Sequence, residues 1–220
     1  MISFEEAYTR YIIKAEKNAT NDNIVSSRQH FAKIFNESQN KYIDFLIKKA
    51  PEEERRHLHP ILIKDKDLGK SKKTKTQYIF QLPNDYFDIV TSYVYISTEC
   101  CSNIKLYGFP IDPFNENEIL QDEFNKPSVL YRETPYLLSN NSLKIFYENF
   151  TIDKCVLNYY RKPTEISQED STNPESPLKK QFLDFEEKIV DKIISFAVGE
   201  FDMNNENTRY QIQKTRSVEV

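Results

Sequence analysis

Three stretches of the chain repeat apolar residues at helical spacing. From Ser3 to Lys17, the residues Phe4, Ala7, Tyr8, Tyr11, Ile12 and Ala15 form one stripe. Ser3, with Glu6 three residues on, has the spacing of a capping box, so a helix is predicted to begin there. After a polar break at Ala19–Asn23, in which Asn21 or Asn23 is placed to cap, a second stripe runs from Ile24 to Lys49 through Phe31, Ile34, Phe35, Tyr42, Phe45 and Leu46. Ala50-Pro51 closes it, because proline disfavours helix in the residue before it. The third stripe runs from Leu178 to Asp202 through Phe182, Phe185, Ile189, Ile193, Phe196, Ala197 and Phe201.

Between the second and third stripes the period shortens to that of strands. Ile61–Ile63, Tyr78–Leu82, Tyr93–Thr98, Ile104–Tyr107 and Lys154–Tyr160 are short runs rich in aromatic and β-branched residues. Tyr136–Ser139 and Leu143–Tyr147 flank Asn140-Asn141, which reads as a hairpin, since Asn tolerates a positive φ. Glu52–His59 predicts one or two helical turns, and Asn84-Asp85 predicts the cap of a short helix through Phe87, Ile89 and Val90. The order helix–helix, strands, helix predicts an α+β fold. A helical bundle built from the N- and C-terminal helices carries a small inserted antiparallel β module. The corresponding boundaries are 1–60 with 178–203 for the bundle, 61–163 for the module, 164–177 for a linker and 204–220 for a polar tail.

Composition narrows the function classes. The 220 residues are 39% hydrophobic and 29% charged, too apolar for a disordered chain. No run approaches the ~18 apolar residues of a membrane span, and the opening MISFEEAYTR carries acids where a secretion leader carries an apolar core. The net charge of −4 argues against a nucleic-acid coat. The three glycines, Gly69, Gly108 and Gly199, stand too far apart to build a phosphate-cradling loop.

Catalytic and metal chemistry finds little support. Cys100, Cys101 and Cys155 are an odd number with two adjacent, which points to reduced thiols rather than a disulfide framework. His57 and His59 with a distant cysteine are the one imaginable ligand set, without a recognised spacing. The paired acids Glu5-Glu6, Glu52–Glu54 and Glu186-Glu187 fall at helix starts or on helix faces, where the dipole or water favours them. No enzyme, cofactor or metal site is expected.

Charge is unevenly spread. Lys64 to Lys75 carries six lysines and two aspartates, a local charge of +4, on what reads as a mobile loop or hairpin tip. Asp112 to Glu123 carries five acids and no base, a local charge of −5. Lys70, Lys72, Lys73 and Lys75 are therefore candidates for contact with a phosphate backbone or with an acidic neighbouring chain. Strand tyrosines such as Tyr93, Tyr95 and Tyr107 suit either a stacking platform for single-stranded nucleic acid or the packing of a sheet and a subunit contact.

Three longer stretches carry a family resemblance. They are Arg28-Gln-His-Phe-Ala-Lys-Ile-Phe-Asn-Glu-Ser-Gln-Asn-Lys-Tyr-Ile-Asp-Phe; Phe80-Gln-Leu-Pro-Asn-Asp-Tyr-Phe; and Tyr159-Tyr-Arg-Lys-Pro followed, beyond the linker, by Phe185-Glu-Glu-Lys-Ile-Val-Asp-Lys-Ile-Ile-Ser-Phe-Ala-Val and Asn207-Thr-Arg-Tyr-Gln. In these the chain resembles the head–tail connector (adaptor or ring) proteins of tailed bacteriophages, most of all those of crAss-like phages. The resemblance implies a non-enzymatic virion protein at the head–tail junction, assembled in the host cytoplasm. Its partners would be copies of itself in a ring, commonly of twelve, the portal protein, further tail or ring proteins, and genomic DNA passing through the channel without sequence specificity. It implies that the C-terminal segment, with Arg209, Tyr210, Lys214 and Arg216, engages the portal. The alternative reading is a nucleic-acid-associated accessory module of a phage, with an enzyme third.

Overall fold

A computed structural model describes residues 2–18, 27–139, 141–166 and 183–199. The chain forms two compact units, Met1–Pro60 with Pro163–Val220, and Ile61–Lys162.

In the first unit, α1 (Phe4–Asn18) and α2 (Arg28–Lys48) are joined by a third helix, α5, over residues 187–199. Ser3 Oγ accepts from the Glu6 amide at 3.3 Å, the cap expected from the sequence. The cap of α2 is Ser27, whose hydroxyl accepts from the His30 amide at 3.2 Å; the expected caps Asn21 and Asn23 lie outside the described residues. Apolar stripes bring the helices together. Phe31 of α2 is fully buried, and its ring lies 4.9–5.5 Å from those of Phe4, Tyr8, Tyr11 and Phe35. Tyr42 of α2 meets Phe196 of α5 edge to face at 5.5 Å. Polar contacts set the register of α1 on α5. The Arg10 guanidinium reaches Glu187 at 2.6 Å, Asp191 at 3.1 Å and Glu6 at 2.7 Å, and Lys14 Nζ donates to the Asp191 carbonyl at 3.0 Å. Glu187, Asp191 and Glu6 raise the Arg10 pKa, so this cation is held by three carboxylates at once. On the other side of α2, the Asn36 side-chain amide donates to the Ile166 carbonyl and accepts from the Ile166 amide, which pins the extended chain after Pro163. A short α3 (Glu52–Arg55) and a 3-10 turn (Arg56–Ile61) complete the ordered chain before the sheet.

The second unit overturns the expected proportions. Apolar periodicity predicts a helical bundle with a small antiparallel insert. The chain is strand-rich instead, with one mixed eight-stranded sheet curled into a half-barrel. Its strands are β1 (Leu62–Asp67), β2 (Ser71–Lys73), β3 (Gln77–Gln81), β4 (Tyr86–Ser97), β5 (Ile104–Pro110), β6 (Glu133–Ser139), β7 (Ser142–Phe146) and β8 (Thr151–Arg161). The order across the sheet is β1-β8-β4-β5-β6-β7-β3-β2.

Three local features of the chain account for the difference. The lysine-rich 64–75 segment is not a mobile loop: it supplies the end of β1 and all of β2, whose backbone pairing overrides a sequence with no apolar period. The helix expected after Asn84-Asp85 is the beginning of the twelve-residue β4, because Tyr86, Asp88 and Ile89 pair with β8, leaving Phe87 and Val90 at bulges between them. The sheet is also not purely antiparallel. β5 and β6 run parallel, with Tyr107 opposite Glu133 and Pro110 opposite Tyr136. A parallel pair requires a crossover, and residues 111–132 provide it, containing a 3-10 turn (Pro113–Asn115) and α4 (Glu116–Gln121). The expected linker (164–177) and tail (204–220) fall mostly or wholly outside the described residues.

The curl has a covalent cause as well as a hydrophobic one. β1 and β2 are consecutive in sequence yet form the two opposite edges of the sheet. Only Leu68, Gly69 and Lys70 separate them, so four Cα–Cα steps of about 3.8 Å keep Asp67 within about 15 Å of Ser71. Gly69 turns this corner with φ +69°, which a side chain would resist. A single core fills the concave side. Tyr78 and Phe80, Val94 and Ile96, Leu143 and Ile145, and Cys155 and Leu157 are buried there with Leu106, Tyr136 and Tyr159. Most of these residues recur at every second position, as strands with one buried face require.

Two tyrosines tie the strands from their hydroxyl ends. Tyr93 of β4 reaches past β8 to donate to the Asp65 carboxylate at 2.6 Å, at a bulge where Asp65 has φ +54°. Tyr159 of β8 donates to Asp85 at 2.9 Å, before β4 begins. The bond to Asp65 pushes the Tyr93 pKa up to about 12, and burial, aided by Asp85, takes Tyr159 to about 12.

Two predictions follow from this packing. A Cβ on Gly108 would collide with Ser92 Oγ and lie 2.9 Å from the Tyr136 ring. Gly108→Ala is expected to cost about 2 kcal/mol, in the range of overpacked cores, read by urea unfolding with hydrogen exchange of β4–β6. For the tyrosines, the folded pKa lies above the ordinary value of about 10, so their contribution to stability is complete below about pH 10. It is lost as pH rises from there towards about 12. Stability measured across that range should fall, and Asp65→Asn should return the Tyr93 titration towards its ordinary value in ultraviolet difference spectra.

Candidate interaction surfaces

The lysines singled out by the sequence occupy one edge of the half-barrel. Lys70 follows Gly69, Lys72 and Lys73 lie on β2, and Lys75 sits in the turn to β3; all four are exposed. They are not equivalent. Lys73 pairs across strands with Tyr78, on the side of the apolar core, and its ammonium lies 5.2 Å from the Tyr78 ring centroid and 5.0 Å from that of Tyr147. The Tyr78 hydroxyl, with a smaller effect from Tyr147, raises the Lys73 pKa. This lysine is engaged in closing the end of the core. Lys72 pairs with Ile79 on the opposite side, and Lys144 of β7 pairs with the same Ile79. Lys70, Lys72 and Lys75 meet no carboxylate within ion-pair distance among the described residues. Arg209, Tyr210, Lys214 and Arg216 lie outside the described residues.

The acidic stretch lies on the β5–β6 crossover, three strands away from β2 in the sheet order. Here the structure exposes residues that sequence reasoning passed over. Phe114 is 94% exposed, Leu130 83% and Phe124 73%, with Tyr131 also exposed. Each is presented by a capped turn. Asp112 accepts from the Phe114 amide at 2.9 Å, Asp122 from the Phe124 amide at 3.0 Å, and Ser128 Oγ from the Tyr131 amide at 3.2 Å. A backbone bridge between Ser128 and Glu133, and an ion pair between Lys126 and Glu148 at 3.7 Å, hold the returning limb. The available sequence signal was large apolar residues placed two after Asp in a run without strand or helix period.

A third surface lies on the outer side of β4 and β5. Lys105 Nζ stands 3.7 Å from the Tyr93 ring centroid and 5.0 Å from that of Tyr107, and Tyr95 packs edge to face on Tyr93. Of these tyrosines, Tyr107 is the one left largely exposed. Tyr93 is committed to Asp65 and Tyr95 to Tyr93, so the stacking face is small.

One open cleft of about 830 Å³ lies at an end of the half-barrel, lined by Ser97–Cys100 and by Tyr147 and Asn149–Thr151. Cys100 is exposed there. The Thr98 hydroxyl, 3.5 Å from its sulfur, lowers its pKa with help from Cys101, whereas Cys100 raises that of Cys101. Burial raises Cys155 strongly. The lining offers no histidine to act as base, so the thiol has no activating partner of the Cys–His kind. No three His, Cys, Asp or Glu side chains converge on a metal-sized site among the described residues, which leaves His57 and His59 without a third ligand. No helix among the described residues is long and apolar enough to cross a membrane.

Known proteins add no assignment: no family model matches the chain, and no curated protein matches it significantly.

The thiols make a direct prediction. Under limiting iodoacetamide near neutral pH, Cys100 is expected to alkylate first, Cys101 more slowly and Cys155 only after unfolding, as read by peptide mass spectrometry. Thr98→Val should narrow, without abolishing, the advantage of Cys100 over Cys101.

Proposed function

We propose that this chain is a structural subunit of a homo-oligomeric ring at the head–tail junction of a tailed bacteriophage, joining the portal to the tail and continuing the DNA channel. The reading rests on the resemblance to head–tail connector proteins in the α2, β3–β4 and C-terminal stretches. The observation that carries it further is the exposure of Phe114, Phe124 and Leu130 on capped turns. Large apolar side chains held rigidly in water mark a surface that a partner covers. In a ring of identical copies each subunit presents two different complementary flanks. The acidic crossover and the basic β2 edge occupy separate places in the sheet, as such an arrangement needs. The function proposed is non-enzymatic and uses no cofactor. Its partners are copies of the chain, the portal, neighbouring tail or ring proteins, and DNA met through its backbone charge alone.

The second reading, a nucleic-acid-associated accessory module, draws on Lys105 beside Tyr107 on the outer face of β5. The full chain mixed with its cognate portal and viewed by negative-stain electron microscopy, with native mass spectrometry, separates the two. Closed rings of one fixed copy number, stacked on the portal, are the expected result. A chain that stays monomeric with the portal, yet binds oligonucleotides with a steep salt dependence, would overturn the ring and favour the second reading.

A further inference from the structure

We infer that the 111–132 crossover is an arm that docks on the β2 edge of a second copy of this chain. The inference rests on the ring reading and names the contact that would build it. The apolar residues identify the surface. Phe114, Phe124 and Leu130 lie within one 22-residue excursion, each far more exposed than a large apolar side chain in a packed fold. Solvent gains nothing from holding them out, and the Asp112, Asp122 and Ser128 turn bonds keep them there.

Charge identifies the occupant. Glu116, Glu118 and Glu123 of the arm meet no cation within ion-pair distance among the described residues, and Lys70, Lys72 and Lys75 meet no anion. Within one copy they do not pair. Between β6, where the crossover ends, and β2 stand the β7 and β3 strands, and three strand spacings amount to about 14 Å along the sheet. The contact is therefore between copies: arm to edge, and that copy's arm to the next edge. Such a heterologous contact closes into a ring when the rotation permits. The apolar groups also have a counterpart there. The half-buried Ile79 lies between Lys72 and Lys144 in the ladder, on the face of the sheet turned away from the core. Lysines on an edge strand also keep it from pairing with other sheets. That role asks nothing of the arm, and the test below tells the two apart.

The test uses the full chain. Isotopically labelled and unlabelled copies are mixed and joined by a zero-length carbodiimide, which links only carboxylates and amines in contact. The expected result is labelled-to-unlabelled links from Glu116, Glu118 or Glu123 to Lys70, Lys72 or Lys75, diminishing as salt rises. Glu116→Lys, Glu118→Lys and Glu123→Lys together, or Lys70→Glu, Lys72→Glu and Lys75→Glu together, should each weaken self-association at least ~10-fold by sedimentation. Uniting both sets in one chain should recover it. All these positions are at the surface, and circular dichroism confirms that each variant is folded. Phe114→Ser with Phe124→Ser should weaken association without altering the charges. Rings that form with mixed-label links elsewhere, or that ignore the charge reversals, would overturn the docking and leave the ring reading standing. So would variants that still self-assemble but lose the portal. A wild-type chain without mixed-label links and without rings on the portal removes both.

Discussion

The second unit depends on a three-residue tether. Leu68, Gly69 and Lys70 carry the chain from one edge of an eight-stranded sheet to the other, so the sheet cannot lie flat. Twist alone inclines a sheet of this size to curl. The tether decides that it curls until its edges approach, and the apolar residues of β3 to β8 then share one core rather than two faces. The small exceptions follow from that closure. Gly108 makes room for Tyr136 inside the curve, Gly69 turns the corner between the edges, and Lys73 lays its charge over the rings of Tyr78 and Tyr147 where the core meets water.

The helical unit solves a different problem with different means. Its stripes bury Phe31 and Phe35 of α2, while Arg10 and Lys14 of α1 engage Glu187, Asp191 and the Asp191 carbonyl on α5. Exposed ion pairs add little free energy, but a guanidinium shared among three carboxylates fixes the register of one helix on another. Apolar contact supplies the stability there, and charge supplies the register.

Apolar side chains of β3 to β8 fill the concave side of the half-barrel, and its edges and loops carry the exposed features described above. The features that stand out are surfaces: a basic edge strand, an acidic crossover carrying bare aromatic residues, and a small lysine–tyrosine face. Large apolar side chains held in water on capped turns are the feature on which the proposed assembly role rests.

The helices and most strands were legible because their apolar residues recur with periods that local geometry imposes, as at Phe4–Ala15 or Tyr78–Leu82. The Ser3 cap was legible for the same reason, since both partners lie within one turn. The 64–75 strands were not, because Lys64–Asp67 and Ser71–Lys73 have no apolar period and become strands only through pairing with β8 and β3. Neither the parallel β5–β6 pair nor the size of the sheet is written in any short window, since both depend on partners far along the chain. The lysines at 70, 72, 73 and 75 were named from charge alone. That one covers tyrosine rings while three meet no carboxylate among the described residues, and that Phe114, Phe124 and Leu130 stand in solvent, is decided only when non-local strands close the sheet and fix the crossover's turns.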